Sequence, residues 1–221
     1  MPSDLRTRAI VLRRTNYGES DRILNLLTPE GKFAVIAKGV RKEKSRLAGS
    51  IELFSVADVV IHQGKSKFAV LTSARMLQFF SSILTDVQGL ELAALMMKKV
   101  ERATEQVTSP EYFSLLVQGL DGLNRHLDLG LVRTWFLLNL ARIGGEELNL
   151  IYDINGKKLD PELRYIWDTS EAALKEYSSG DISSREVKLA RLILSSKLLA
   201  ISRVENVDSI LHPLMALTRG I

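Results

Sequence analysis

Residues 7–37 read TRAIVLRRTNYGESDRILNLLTPEGKFAVIA, and this stretch decides the predicted fold. It holds three short apolar and β-branched runs, at 7–14, 23–28 and 33–37. The second and third runs are separated by Thr28-Pro29-Glu30-Gly31, where proline favours the first corner of a turn and glycine favours its exit. The pattern predicts short strands joined by tight turns.

Two further runs, at 53–62 and 68–72, have the same character and are joined by a predicted hairpin turn at 63–66. Five short strands in about 70 residues fit a small barrel. The five-stranded OB-fold barrel is one such solution, and its open face commonly binds oligonucleotides. The sequence therefore predicts an OB-fold nucleic-acid-binding domain over residues 1–80.

From about residue 89 the apolar period becomes helical. Pro110 is placed to open one helix, Ser183 or Ser184 to cap another, and Pro213 to limit the last. Residues 145–182 are less periodic and predict an irregular insertion with one short helix near 171–177. We therefore expect an α+β chain of two domains, with an all-α helical domain over 81–221. The helical runs are 92–100, 113–123, 131–143, 187–201 and 207–214.

Composition excludes several function classes. The 221 residues include no cysteine and only three, widely separated histidines, which rules out a cysteine-based zinc site, an iron–sulfur cluster and a cysteine nucleophile. No residues form a catalytic constellation, so we expect neither an enzyme nor a bound cofactor. Because no targeting signal or run of 18 apolar residues is present, we expect a cytoplasmic protein without membrane contact.

Charge points to a polyanionic partner for the first half. Residues 1–80 hold 14 Lys+Arg against 7 Asp+Glu, whereas residues 81–221 hold 16 against 19. The sharpest feature is the segment 38–46, KGVRKEKSR, in which five of nine residues are cationic. Clustered cations on a loop bind phosphates by releasing counterions, although a solvated charged loop is an open alternative.

Further residues complete the predicted nucleic-acid site. Tyr17 lies in a polar turn and is the best candidate for stacking on a base. Other cations of the first half could extend the site, namely Arg6, Arg8, Arg13, Lys65, Lys67 and Arg75. The predicted DNA-binding set is Arg14, Tyr17, Arg22, Lys38, Arg41, Lys42, Lys44 and Arg46.

A second candidate site lies in the helical half. Arg133 and Arg142 flank the apolar stretch Trp135-Phe136-Leu137-Leu138. An apolar groove edged by arginine would bind a short acidic and apolar peptide of a protein partner. A buried core helix is the alternative interpretation of the same stretch, and the sequence alone favours it.

The order and spacing of 17–24, 27–32, 35–42 and 44–47 resemble the bacterial recombination-mediator RecO family. The resemblance implies an N-terminal OB barrel, a helical domain, and binding and annealing of single- and double-stranded DNA. It also implies the ring-forming partner RecR, the acidic tail of single-strand binding protein, and indirect help in loading the recombinase, in the cytoplasm with the nucleoid. The family's basic DNA-binding positions correspond here to Lys38, Arg41 and Lys42, with Lys44 and Arg46 nearby.

The chain departs from the family at one place. Many members carry a four-cysteine zinc module, but here residues 152–156 read YDING where Cys-x-x-Cys-Gly is expected. No zinc can bind there, so we expect Tyr152, Tyr165 and Trp167 to hold the insertion by packing. Two alternatives stay open: another OB-fold binder acting on structured RNA, and a protein-interaction scaffold whose basic loop meets acidic partners.

Overall fold

The computed structural model describes residues 3–64, 68–105, 107–146 and 148–218. It divides into two compact units, residues 1–120 and 121–221. The predicted boundary at residue 80 corresponds to the change from strands to helices, and as a domain boundary it stays a prediction. Part of the predicted turn at 63–66, with Lys65 and Lys67, lies outside the described residues. Within the described ranges, no helix is long and apolar enough to cross a membrane.

The first unit contains all five predicted strands. They join in the order β1-β2-β3-β5-β4, and β4 pairs back onto β1, so the sheet closes into a barrel. The β3–β5 contact is parallel, whereas the other neighbours are antiparallel. The strands are β1 (Ser3–Tyr17), β2 (Asp21–Thr28), β3 (Gly31–Ala37), β4 (Ser55–Gln63) and β5 (Ala69–Phe79).

The length of β1 allows this closure. Its first half, from Ser3 to Ile10, pairs with β4, and its second half, from Ile10 to Tyr17, pairs with β2. The register shifts just after Val11, and a bulge of this kind bends a strand and increases its twist. Alternate side chains of the strands fill the barrel, including the fully buried Leu24, Leu26 and Val35.

Helix α1 (Val87–Ala103) lies against the outer side of the first three strands, and α2 (Pro110–Asn124) follows it. The Glu101 carboxylate of α1 accepts a 2.7 Å hydrogen bond from Asn25 and lies 3.5 Å from the Arg13 guanidinium. Lys32 Nζ donates to the Glu101 backbone carbonyl at 3.0 Å. Two cations of the basic half, Arg13 and Lys32, therefore bind α1.

The second unit packs around α3 (Leu129–Ile143), whose residues from Leu131 to Ala141 are nearly all buried, as predicted. Among the described residues, three further α-helices follow it, and Pro213 lies one residue before the end of the third, as expected. Ser183 and Glu186 form a reciprocal capping box, which confirms the predicted cap. The later helices are α4 (Ser184–Ser195), α5 (Leu198–Ile201) and α6 (Val207–Leu214).

The prediction of one helix over 187–201 is wrong. The chain is extended at Ser196 and Lys197, which separates α4 from α5. The Ser196 carbonyl there accepts a 3.0 Å hydrogen bond from the indole Nε1 of Trp135. The Ser196 carbonyl is therefore bound by a side chain of α3 at the point where the apolar pattern alone would continue the helix.

The predicted helix at 171–177 is also wrong, and with it the all-α description of 81–221. Strand β6 (Tyr165–Asp168) instead pairs with β7 (Ala173–Glu176) in an antiparallel hairpin. The Asp168 carboxylate accepts the amides of Ser170 and Glu171 in the turn, and Ala172 is left-handed at φ 49°. The Ser170 side chain is the main cause of the lowered pKa of Asp168, so the anion is favoured there.

The insertion at 145–182 is held by a buried carboxylate and one buried tyrosine. Asp153 Oδ1 accepts the amides of Asn155 at 2.9 Å and Lys157 at 2.8 Å. Tyr165 is 3% exposed, as a packing role requires, and Trp167 is half-buried. Tyr152 is 45% exposed, so its predicted packing role is wrong. Among the described residues, no group of three or more His, Asp or Glu could hold a metal ion.

Gly180 provides a test of this packing. A Cβ there would lie 2.6 Å from the carbonyl carbon and 2.9 Å from the amide nitrogen of Tyr165, which are backbone atoms that cannot move aside. We expect Gly180→Ala to lower the free energy of unfolding of this unit by roughly 1–3 kcal/mol or more. Urea denaturation measures the change. Gly49→Ala, placed in open space, is the control and should leave stability nearly unchanged.

Candidate nucleic-acid interface

The segment 38–46, called the basic loop from here on, directly follows β3 and consists of turns and bends. Its five cationic side chains are all exposed. Among the described residues, no ion pair joins any of these five side chains to a carboxylate. The predicted residues Lys38, Arg41, Lys42, Lys44 and Arg46 therefore present their charges to solvent.

Apolar anchors hold the basic loop and its continuation against the barrel. Val40 is 1% exposed and belongs to the same buried cluster as Leu24 and Val35. Further along, Ile51 is buried in that cluster, and Leu47 packs against it. Because the apolar side chains face the barrel core, the charged side chains between them face outward.

Hydrogen bonds fasten the basic loop to the β1–β2 turn. The Gly39 amide donates to Asp21 Oδ1 at 2.7 Å, and the Arg41 amide donates to the Ser20 carbonyl at 2.9 Å. Arg41 Nη1 also donates to the Gly18 carbonyl at 3.3 Å. Residues 17–22 and 38–46 therefore form one continuous surface, which we call the basic surface; it carries six cations and three acids.

Two more of the predicted residues belong to the basic surface. Tyr17 is 50% exposed at the end of β1, where a base could stack on its ring. Arg22 pairs across β2 and β3 with Ala37, the residue before Lys38, so it lies beside the start of the basic loop. Its Nε donates to the neutral amide oxygen of Asn16 at 3.2 Å, which leaves the positive charge uncompensated by this contact.

Arg14 differs from the other predicted residues. It pairs with Leu24 across β1 and β2, and its Nη1 lies 2.6 Å from Glu52 Oε2 in a half-buried ion pair. Glu52 lies 38 residues away in sequence, so no local pattern could reveal this partner. The Arg14 charge is therefore paired with a carboxylate of the same chain. The contact of Arg14 with DNA stays a prediction.

A second arginine-lined surface lies on the outer side of β1, β4 and β5, in a groove of about 800 Å³ that includes Arg6. Arg75 lies 2.7 Å from the Asp58 carboxylate, and Arg8 lies over the Phe113 ring at 5.7 Å. The groove also contains the Glu30 carboxylate. The positive charge is therefore largely balanced here, unlike that of the basic loop.

The carboxyl of Glu30 is held in its charged form. Burial alone would raise its pKa, but hydrogen bonds from Thr7 and Thr28 and the charge of Arg8 together lower the pKa below its ordinary value. The Thr7 hydroxyl lies 2.6 Å from Glu30 Oε2. The negative charge in this groove is therefore retained at neutral pH.

The second unit contains a groove of about 780 Å³ that combines cationic and apolar side chains. Arg142 lines it, whereas Arg133 is exposed elsewhere on α3. The two lie nine residues apart, which is about two and a half helical turns, so they face opposite sides of α3. Trp135, Phe136, Leu137 and Leu138 are buried in the core, so the prediction that Arg133 and Arg142 edge one groove over this stretch is wrong.

Sequence reasoning missed two cations of this groove, Lys158 and Arg191. Arg191 Nη2 donates to the Leu150 carbonyl at 2.6 Å. These residues come from the insertion and from α4, and only their tertiary packing brings them to Arg142. The remaining lining residues are Leu148, Asn149, Leu150, Ile151, Leu194 and Ser195.

Two protein-family models together match the whole chain. The family described as "Recombination protein O N terminal" matches residues 1–80, and "Recombination protein O C terminal" matches residues 73–221. The chain therefore belongs to the recombination protein O (RecO) family.

Individual relatives support this family assignment. Proteins named DNA repair protein RecO from Dehalococcoides mccartyi are 36% identical over 149 residues in strain 195 and 35% identical over 170 residues in strain CBDB1. The Roseiflexus sp. RS-1 protein of that name is 35% identical over 136 residues. The alignments cover 65%, 74% and 61% of this chain but 57%, 66% and 48% of the relatives' own lengths, so the chain spans about half to two thirds of them.

The ion pair of Arg14 and Glu52 can be tested by a double-mutant cycle. We expect Arg14→Ala and Glu52→Ala to be coupled by about 0.5–1 kcal/mol in the free energy of unfolding, the range for a partly exposed pair. Because its charge is engaged, Arg14→Ala should weaken DNA binding less than Lys42→Ala does. Additive stability effects together with equal losses of DNA affinity would contradict this assignment.

Proposed function

We propose that this chain is a non-enzymatic mediator of DNA repair and recombination, which binds single- and double-stranded DNA through the basic surface. It anneals complementary strands and helps to load the recombinase onto DNA covered by single-strand binding protein. The observation that carries the proposal is the set of five exposed cations on a loop whose backbone is fixed to the barrel. Membership of the RecO family supports it, since the relatives are named as DNA repair proteins.

The proposed mechanism rests on charge neutralisation. Each phosphate that meets a lysine or arginine releases condensed counterions, which favours binding at low salt. Phosphates neutralised on two strands repel each other less, so complementary bases can approach and pair. Tyr17, at the edge of the same surface, would hold an unpaired base by stacking. Lys38, Arg41, Lys42, Lys44, Arg46 and Arg22 supply the positive charges.

We propose the OB fold for the barrel. Five strands joined in the order β1-β2-β3-β5-β4, with one long first strand shared between two neighbours, support this assignment. OB folds bind oligonucleotides through a strand face and adjoining loops. In this chain the basic loop, which follows β3, and the β1–β2 turn would supply the loop contacts.

Salt dependence tests the DNA site directly. A triple variant, Lys38→Ala, Arg41→Ala and Lys42→Ala, removes three proposed phosphate contacts. In anisotropy titrations of a labelled single-stranded oligonucleotide, the slope of log K against log salt should become shallower by about 2, because each single-strand contact contributes roughly 0.7.

A matched control removes the same charge from the second unit. Arg185→Ala, Lys188→Ala and Lys197→Ala alter three exposed cations outside the basic surface. This control should keep the wild-type slope and anneal complementary strands normally. Equal slopes for the two triple variants would show that only net charge matters, and the basic surface would lose its assigned role.

Competition separates the alternative functions. A DNA mediator should bind a single-stranded DNA oligonucleotide at least as tightly as a structured RNA of equal length, and its affinity should grow with DNA length. Preference for the RNA would favour an RNA-binding OB-fold protein. An absence of length-dependent DNA binding at low salt would favour a protein-interaction scaffold.

We further propose that the second unit binds protein partners. The groove lined by Arg142, Lys158 and Arg191 places positive charges around apolar side chains such as Ile151 and Leu194. That chemistry fits the acidic and apolar tail of single-strand binding protein. A ring-forming RecR protein is the second proposed partner.

Charge reversal in the groove tests the peptide site. Lys158→Glu should weaken binding of a synthetic acidic and apolar tail peptide by about tenfold or more, since an attraction becomes a repulsion. Isothermal titration calorimetry measures the affinity. Arg133→Glu, on the other side of α3, is the matched control and should bind the peptide normally. A larger loss in Arg133→Glu would move the peptide site to that face.

A further inference from the structure

The described contacts of the basic loop with the rest of the barrel are the buried Val40 side chain and the hydrogen bonds to the β1–β2 turn. The loop begins after the last residue of β3, Ala37, and the next strand starts only at Ser55. Val40 fixes one apolar point, but an apolar contact does not set the direction of the backbone on either side. Lys38 and Arg41 flank Gly39 and Val40, so the orientation of this short segment determines where their charges lie.

Asp21 sets that orientation. Its Oδ1 accepts the Gly39 amide at 2.7 Å and also accepts the Ser20 hydroxyl at 3.2 Å. Gly39 is left-handed, with φ 63°, a conformation that other residues adopt rarely. Two residues on, the Arg41 amide meets the Ser20 carbonyl, so the loop is tied to the turn on both sides of Val40.

The charge of Asp21 is unfavourable for the proposed ligand. A carboxylate beside the basic loop repels phosphates, so electrostatics alone would favour a neutral residue at this position. The neighbouring Glu19 carries the same charge in the same turn, but it is exposed, and its carboxylate accepts no hydrogen bond among the described contacts. The two acids therefore provide a natural comparison between charge and position.

We propose that Asp21 is a positioning residue for DNA binding, which orders the basic loop before DNA arrives. This inference rests on the proposed DNA-binding function. Pre-ordering reduces the conformational entropy that the loop would lose on binding, and so increases affinity. The benefit of a fixed loop outweighs the repulsion from one carboxylate that already accepts two hydrogen bonds.

The sign of the effect on DNA affinity separates this role from charge alone. Asp21→Ala should weaken binding of a single-stranded oligonucleotide by about tenfold, although it removes a negative charge. The slope of log K against log salt should become shallower by roughly the amount that one phosphate contact contributes. Glu19→Ala, the matched control, should bind as tightly as the wild type or more tightly. Asp21→Asn keeps an oxygen acceptor for the Gly39 amide and should restore most of the affinity.

Asp21→Glu keeps the test decisive if Asp21→Ala does not fold. It retains the charge but moves the carboxylate away by one methylene, so a positioning role predicts weaker DNA binding. Unchanged affinity in Asp21→Glu, or tighter binding in Asp21→Ala, would overturn the proposal.

Hydrogen exchange tests the same inference without DNA. In the free protein, the Gly39 amide should exchange faster in Asp21→Ala than in the wild type or in Glu19→Ala. Equal exchange rates would overturn the positioning role. If the wild-type protein binds no DNA while Gly39 exchange responds as expected, then the proposed function fails and the ordering of the loop by Asp21 stands.

Discussion

Double pairing of β1 is the constraint on which the rest of the structure depends. One strand of 15 residues binds β4 with its first half and β2 with its second, and the shift after Val11 separates the two registers. With β1 shared in this way, the sheet closes and its interior fills with apolar side chains. The connections that leave the ends of the strands then lie outside the core, where charged residues remain hydrated.

The basic surface follows from this arrangement. The basic loop returns one side chain, Val40, to the barrel core, and the carboxylate of Asp21 and the carbonyl of Ser20 hold the backbone on either side. Cations that are not needed for these contacts face solvent. Elsewhere on the barrel, several positive charges have carboxylate partners, such as Glu52 for Arg14 and Asp58 for Arg75. Under the proposed function, DNA affinity therefore depends on which cations the fold leaves available, more than on their number.

Much of the first unit could be predicted because its signals are local. Alternating apolar residues and turn residues predicted all five strands, and composition alone identified the basic loop. The features that were predicted wrongly or not at all depend on residues that lie far away in the sequence. Ala173–Glu176 has residues that favour helices, yet it forms a strand because Tyr165–Asp168 pairs with it. Likewise, the break after α4 lies where the distant Trp135 indole donates a hydrogen bond. Residue spacing could not link Glu52 to Arg14, or Arg191 to Arg142.

Backbone amide shifts in a titration of the isotope-labelled protein with a short single-stranded oligonucleotide test the central claim most directly. The account predicts that the largest shifts cluster at residues 17–22 and 38–46, with the Gly39 and Arg41 amides among them. The outer face around Arg6 and Arg75 and the helices of the second unit should change little. Shifts centred on either of those regions, with the basic surface unaffected, would contradict the account.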